Sequence, residues 1–266
     1  MHLVYDGTTI TPGGLAMLIR LTSFFLLLFT SPLAAEKAVH LFILSGQSNM
    51  AGMKPALGLV PEAKRLFPDQ EVVFFKVAQG GKPIRLWVKE WNQIAAKHQV
   101  NVLNELQGGK DPSMTFYRPI LAQYKSILEK HPEPASVTFF WMQGERDARE
   151  KLSAAYGDAL LQLIRNLRRD LQQPEMNFVI GRLSDYGTPD NSHWQNVRAT
   201  QVAIAGADGR GAWVDCDDLN NKVKDGVSRN DLHYTAKGYE LLGRRFVRQA
   251  RALVDGEQPA GNGRPE

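Results

Sequence analysis

A single cysteine, Cys216, stands in 266 residues, which rules out an internal disulfide and leaves stability to the core. It closes the apolar run of AWVDCDD and reads as a small buried hydrophobe rather than a nucleophile. The six histidines and this cysteine show no zinc-ligand spacing, so no metal is expected. No apolar run approaches the ~20 residues that a membrane-spanning helix requires. Nor is one sign of charge in large excess: 32 basic and 28 acidic side chains give +4, scattered along the chain. The densest basic group, three arginines within residues 165–170, lies in a helical pattern and reads as a solvated face. Nucleic-acid binding needs a basic stripe and is not expected. Internal repeats and interior linkers are missing too, so nothing splits the middle of the chain.

What is present is an ordinary globular balance, 43% hydrophobic and 23% charged, enough for one large core. Near the N-terminus, MLIRLTSFFLLLFTSPLAA passes from a positive charge at Arg20 through an apolar run, residues 21–29, to small residues. That is the order of a secretory signal, with a buried core helix as the competing reading. Met17 is then the expected true start, and residues 1–35 an extension plus signal. The expected location is secreted or periplasmic, with no stable membrane insertion after cleavage. Residues 36–254 would carry the domain, and residues 255–266, DGEQPAGNGRPE, have the composition of a disordered tail.

Short runs without alternation read as strands covered on both faces: residues 38–44, 71–78, 136–144, 177–183 and 211–217. Helical patterns occupy residues 115–131, DARE with 152–171, 193–207 and an amphipathic 235–254. Strands separated by helices place the chain in the α/β class, with a mostly parallel central sheet between helical layers.

In such a sheet, ligands bind beyond the carboxyl ends of the strands. SGQSNMAG follows the first strand, QGG the second, QGERD the third and SDYG the fourth; Asp217, Asp218 and then NDLHY follow the fifth. A serine hydroxyl is a poor nucleophile until a base takes its proton. His233 is the obvious base for Ser48, because an unperturbed imidazole titrates near ~6.5. An acidic group should orient the imidazole, and Asp231 is the nearest carboxylate in sequence. Ser48 N–H, an N–H from Gly80 or Gly81, and the Gln143 amide would converge on a developing oxyanion. One such donor contributes ~3–4 kcal/mol. Each piece has a plainer reading alone: Ser48 as a helix N-cap, the glycine pair as a turn, Asp217 and Asp218 as loop caps. For the two aspartates the plainer reading is retained. For the others, joint occurrence at strand ends favours catalysis.

LFILSGQSNMAG, WMQGERDA and DLHYTAKGYELLGRRF closely resemble the sialate O-acetylesterase-like carbohydrate esterases (carbohydrate esterase family six-like), a branch of the SGNH hydrolases. QGGKPIRLW and FVIGRLSDY extend the resemblance over residues 38–252. It implies a three-layer α/β/α, flavodoxin-like fold. It also implies a serine esterase that removes acetyl groups from carbohydrates through an acetyl-enzyme, without metal or organic cofactor. On this resemblance Ser48 is the nucleophile, His233 the base, and one glycine of Gly80 and Gly81, with Gln143, the oxyanion donors. Three positions depart from the pattern. The family's acid lies three residues before the histidine, where Asn230 stands, and Asp231 lies two before. Either the loop register shifts, or another carboxylate orients His233; Glu145 is the first substitute, with structural support of its loop as its other reading. Met142 stands where histidine is common, which should alter the pocket wall rather than the chemistry. Arg146 adds a charge near the site, and pairing with Asp147 is expected over contact with an acidic sugar. Trp87, Trp91 and Trp194 could stack on sugar rings, but core packing is the expected role. Two rivals remain: a lipid-type esterase or thioesterase of the same superfamily, and a non-catalytic carbohydrate-binding protein on a hydrolase scaffold. Oligomeric state stays open.

Overall fold

The computed structural model describes residues 37–105, 111–186 and 191–265. The expected leader, residues 1–35, lies outside them. In chain order the elements are β1 (Val39–Gly46), α1 (Ser48–Gly52), α2 (Leu59–Leu66), β2 (Glu71–Ala78), α3 (Trp91–Lys97), α4 (Tyr117–Leu128), β3 (Ser136–Met142), α5 (Glu145–Arg149), α6 (Ser153–Asp170), β4 (Asn177–Gly181), α7 (Ser192–Ala207), β5 (Gly211–Val214), β6 (Asn221–Lys224), β7 (Val227–Asn230) and α8 (Ala236–Asp255).

Strands β1 to β5 form one parallel sheet in the order β2-β1-β3-β4-β5. That is the flavodoxin-like order. All five expected strands are present. Successive side chains of a strand point to opposite faces. On one face Phe42 meets Phe67 and Phe140, and Phe140 meets Phe246 of α8. On the other, Trp141 packs edge-on against Trp87, and its indole donates to the Tyr156 hydroxyl of α6. Helices on both faces make the three-layer α/β/α arrangement. They explain why β1 and β3 lack alternation: large apolar side chains are needed on each side.

Four features differ from the sequence reading. The helix expected through DARE and residues 152–171 is two helices, α5 and α6. Lys151 breaks it at φ 61°, and Leu152 N–H returns to the Asp147 carbonyl at 2.8 Å. Helices α2 and α3 were not expected, since each is too short to show a full periodic stripe. The antiparallel hairpin β6–β7 was also missed. Asp225 and Gly226 turn it, with φ of 53° and 75°, a pair suited to a tight hairpin turn. Finally, residues 256–265 are not a disordered tail. Asp215 N–H donates to the Gly263 carbonyl at 2.8 Å, Gln249 exchanges two hydrogen bonds with Ala260, and Arg264 pairs with Asp215 at 2.9 Å. Among the described residues, no helix is long and apolar enough to cross a membrane.

Candidate active site

The strand order reverses direction between β1 and β3, where α/β sheets open a crevice. A cleft of about 760 Å³ opens at that edge, and the chain beyond each of β1 to β4 contributes to it. Gln47 and Ser48 come from β1, Gly80 and Gly81 from β2, and Glu145, Arg146, Arg149 and Lys151 from β3. Tyr186, His193 and Trp194 follow β4, and His233 arrives from the loop after the hairpin.

Strand β1 delivers the serine by a crossing that tolerates no side chain. Gly46 has φ 144°, and a Cβ there would stand 2.0 Å from the Met142 carbonyl oxygen. Gln47 N–H then donates to that carbonyl at 2.9 Å. Gln47 occupies the N-cap position of α1, so Ser48 is its first helical residue and not its cap. Ser48 is half-buried. Gly80 lies directly against it, since a Cβ on Gly80 would be 3.5 Å from Ser48 Cβ. Gly81 turns the chain with φ 69°. Among the described residues, no acceptor is bonded to the backbone N–H groups of Ser48, Gly80 or Gly81. All three residues line the cleft.

His233 is exposed on the cleft, and its ring has no hydrogen-bond partner among the described residues, Ser48 included. The expected acid, Asp231, does not reach the ring. Its Oδ1 accepts from the backbone N–H of His233 at 3.0 Å, and its Oδ2 pairs with Lys222 at 3.1 Å. The two-residue spacing folds into a local side-chain-to-backbone turn, which engages the carboxylate before it can reach the imidazole. The N–H of His233, with Lys222, holds that carboxyl below its usual range. Asn230 is directed elsewhere and donates to the Asp185 carbonyl at 3.2 Å. Glu145 is buried at the cleft floor. Its Oε1 accepts from Asn49 Nδ2 at 2.9 Å, and its Oε2 has no partner among the described residues. Burial pushes its carboxyl up to about 7.

Gln143 also departs from expectation. It is fully buried and does not line the cleft. Its Nε2 donates toward Asp147 Oδ2 at 2.5 Å, the Lys82 carbonyl at 3.1 Å and Gln47 Oε1 at 3.3 Å. An amide has two such hydrogens, so no donor is left for an oxyanion. Asp147 explains the change. It turns inward, accepts also from Ile84 N–H at 3.0 Å, and burial pushes its carboxyl up to about 7. Arg146 therefore does not pair with Asp147. It pairs with Glu150 at 2.6 Å, because residues four apart share a helix face and neighbours do not.

The remaining expectations divide. Met142 is buried with its sulfur 3.6 Å from the Tyr234 hydroxyl, so it forms no pocket wall. Asp217 and Asp218 are not loop caps; they pair with Arg182 and Arg198, and with Arg245. Cys216 is buried, and burial pushes its thiol up to about 12. Trp87 and Trp91 are core residues, whereas the largely buried Trp194 also lines the cleft, with Tyr186 edge-on at 5.8 Å. Two cleft features had no counterpart in the sequence reading. Asn49 bridges the serine and histidine loops, and His193 Nδ1 shares a 2.7 Å hydrogen bond with Ser153 Oγ. Ser153 itself does not line the cleft. Among the described residues, no three His, Cys, Asp or Glu side chains gather as a metal site.

The family model described as carbohydrate esterase, sialic acid-specific acetylesterase, matches residues 56–252, a stretch that begins after Ser48. Solved structures similar to the chain include a protein from Arabidopsis thaliana, at 18% identity over 81% of this chain and 98% of that one, with TM-score 0.55. A carbohydrate acetylesterase from Xanthomonas citri is similar at 16% identity and TM-score 0.56, covering 83% of this chain and 57% of its own. NanS is similar at 12% identity and TM-score 0.54, covering 82% and 97%. At such identities these likenesses speak for the fold. No curated protein matches the chain.

Proposed function

Because the chain belongs to the sialic acid-specific acetylesterase family of carbohydrate esterases and is a carboxylic ester hydrolase, we propose that it removes O-acetyl groups from a carbohydrate through an acetyl-enzyme on Ser48. One observation carries this reading: Ser48, Gly80 and His233 border one cleft at the sheet's switch point, and among the described residues the N–H groups of Ser48 and Gly80 bond no acceptor.

In the proposed reaction His233 takes the Ser48 proton as Oγ attacks the acetyl carbonyl. The carbonyl oxygen gains charge and meets the N–H of Ser48 and of Gly80 or Gly81, not the Gln143 side chain. The proton passes to the sugar oxygen as the C–O bond breaks, leaving acetyl on Ser48. His233 then deprotonates a water, which attacks the acetyl-enzyme; as the acyl C–Oγ bond breaks, His233 returns the proton to Ser48 Oγ and acetate leaves. The Ser48–His233 hydrogen bond forms in the substrate complex, since catalytic pairs often tighten only on binding. Arg149 and Lys151, exposed on the cleft rim and without an ion-pair partner among the described residues, favour an acidic sugar. Export through residues 1–35 belongs to the same proposal, and extracellular or periplasmic recovery of the expressed full chain tests it.

Ser48→Ala and His233→Ala should each lower hydrolysis of an aryl acetate by at least about 1000-fold, with unchanged circular dichroism. Near-wild-type turnover by either folded variant contradicts the assignment. A chain-length series of aryl esters separates the lipid-type rival, because the proposal requires an acetyl optimum.

A further inference from the structure

We infer that Asn49 is the positioning residue for His233, acting on its backbone where a triad carboxylate would act on its ring; this rests on the reading of Ser48 and His233 just proposed. Asn49 directly follows Ser48 and is 1% exposed. Its Nδ2 donates to Glu145 Oε1 at 2.9 Å and to the Leu232 carbonyl at 3.1 Å. Its Oδ1 accepts from Tyr234 N–H at 3.4 Å and from the Tyr239 hydroxyl at 3.1 Å. All four hydrogen-bonding positions of the amide are therefore engaged.

Leu232 and Tyr234 flank His233, so one side chain grips the backbone on both sides of the base. That grip needs a donor and an acceptor side by side. An amide has both; an ionised carboxylate has no donor and an aliphatic side chain has neither. Asp231 adds a third hold, on the N–H of His233 itself at 3.0 Å. The ring is left free while its backbone is fixed at three consecutive residues. Because Ser48 and Asn49 are adjacent, the nucleophile and the clamp on the base share one rigid turn.

The orientation of the Asn49 amide is in turn set from α5 and α8. The Glu145 carboxylate accepts from Nδ2, and the Tyr239 hydroxyl donates to Oδ1. Gly52 makes room for that tyrosine, since a Cβ there would stand 2.7 Å from its hydroxyl oxygen. Glu145, first considered as a substitute acid for the histidine, thus acts on it only through Asn49.

The test compares Asn49→Ala, Glu145→Ala and Glu145→Gln by steady-state hydrolysis of an aryl acetate and by the rate of fluorophosphonate labelling. Ser48→Ala is run alongside. Asn49→Ala should lower kcat on the order of 100-fold, the scale of a mispositioned general base, with KM within about threefold. Its labelling rate should fall in parallel. Glu145→Gln, which keeps an acceptor for Nδ2, should retain more activity than Glu145→Ala. A merely structural asparagine would lower the melting temperature yet leave kcat and labelling of the folded protein within about twofold of wild type, and that result overturns the inference. Equal losses for the two Glu145 variants overturn the role given to Glu145. Should Asn49→Ala not fold, Tyr239→Phe carries the test: a fall of about fivefold in kcat at constant KM, the scale of one neutral hydrogen bond, is expected. Unchanged kcat in that variant overturns the inference. If Ser48→Ala stays active, the esterase reading itself falls; if it is dead while Asn49→Ala is not, only the positioning role falls.

Discussion

Glu145 and Asp147 stand two residues apart on α5, both buried, and burial pushes each carboxyl up to about 7. The folded chain therefore holds protons that the unfolded chain releases earlier. Stability from these groups is fully present below the ordinary carboxyl values and is lost as pH rises through about 7. Asp147→Asn removes one of them. Relative to this variant, the wild type should lose on the order of 3 kcal/mol between pH 4 and 7. Urea unfolding of both proteins across that range checks it, and parallel curves contradict it. The comparison cancels His40, whose imidazole burial pushes down and whose contribution runs the opposite way. At this scale the motifs picked out Ser48, His233 and the glycine pair, which the fold brings to one cleft. They could not tell where the Gln143, Asp231 and Arg146 side chains point, because each is captured by a partner. For Gln143 and Arg146 that partner, Asp147 or Glu150, lies four residues along the chain. For Asp231 it is the backbone two residues on. Asn49 stood inside the quoted motif, but three of its four partners lie on a loop and a helix more than 180 residues away.

The strands were legible because both faces of the sheet are covered, so their apolar runs stand out from the helical patterns. The short turn signals were not read: Asp225-Gly226 turns a hairpin, and Lys151 at φ 61° splits a helix. Two glycines at element ends separate close approach from backbone conformation. Gly46→Ala must place a methyl group 2.0 Å from the Met142 carbonyl oxygen, at φ 144°. It should cost about 3 kcal/mol or more. Gly81 has φ 69° but nothing within 4 Å of a new Cβ, so Gly81→Ala should cost about 1–2 kcal/mol. Denaturant midpoints distinguish the two, and equal losses contradict the steric account.

Across the whole molecule, the sheet order puts four strand ends around one crevice, which composition and spacing implied but could not arrange. The C-terminal tail was misjudged because its partners, Asp215 and Gln249, are invisible to local composition. Deleting residues 257–266 removes the Gly263 carbonyl from Asp215 N–H, along with the Ala260 and Arg264 contacts. The deletion should lower stability by about 2 kcal/mol. Thermal unfolding checks this, and an unchanged midpoint contradicts it. The central claim is that the strand ends activate Ser48 and no other serine. His193 on the cleft wall is already hydrogen-bonded at 2.7 Å to a second serine, Ser153, which stands behind it, so the alternative is concrete. Labelling the full chain with a fluorophosphonate and mapping the adduct by peptide mass spectrometry decides between them. The account predicts modification of Ser48; modification of Ser153, or of neither serine, would contradict it.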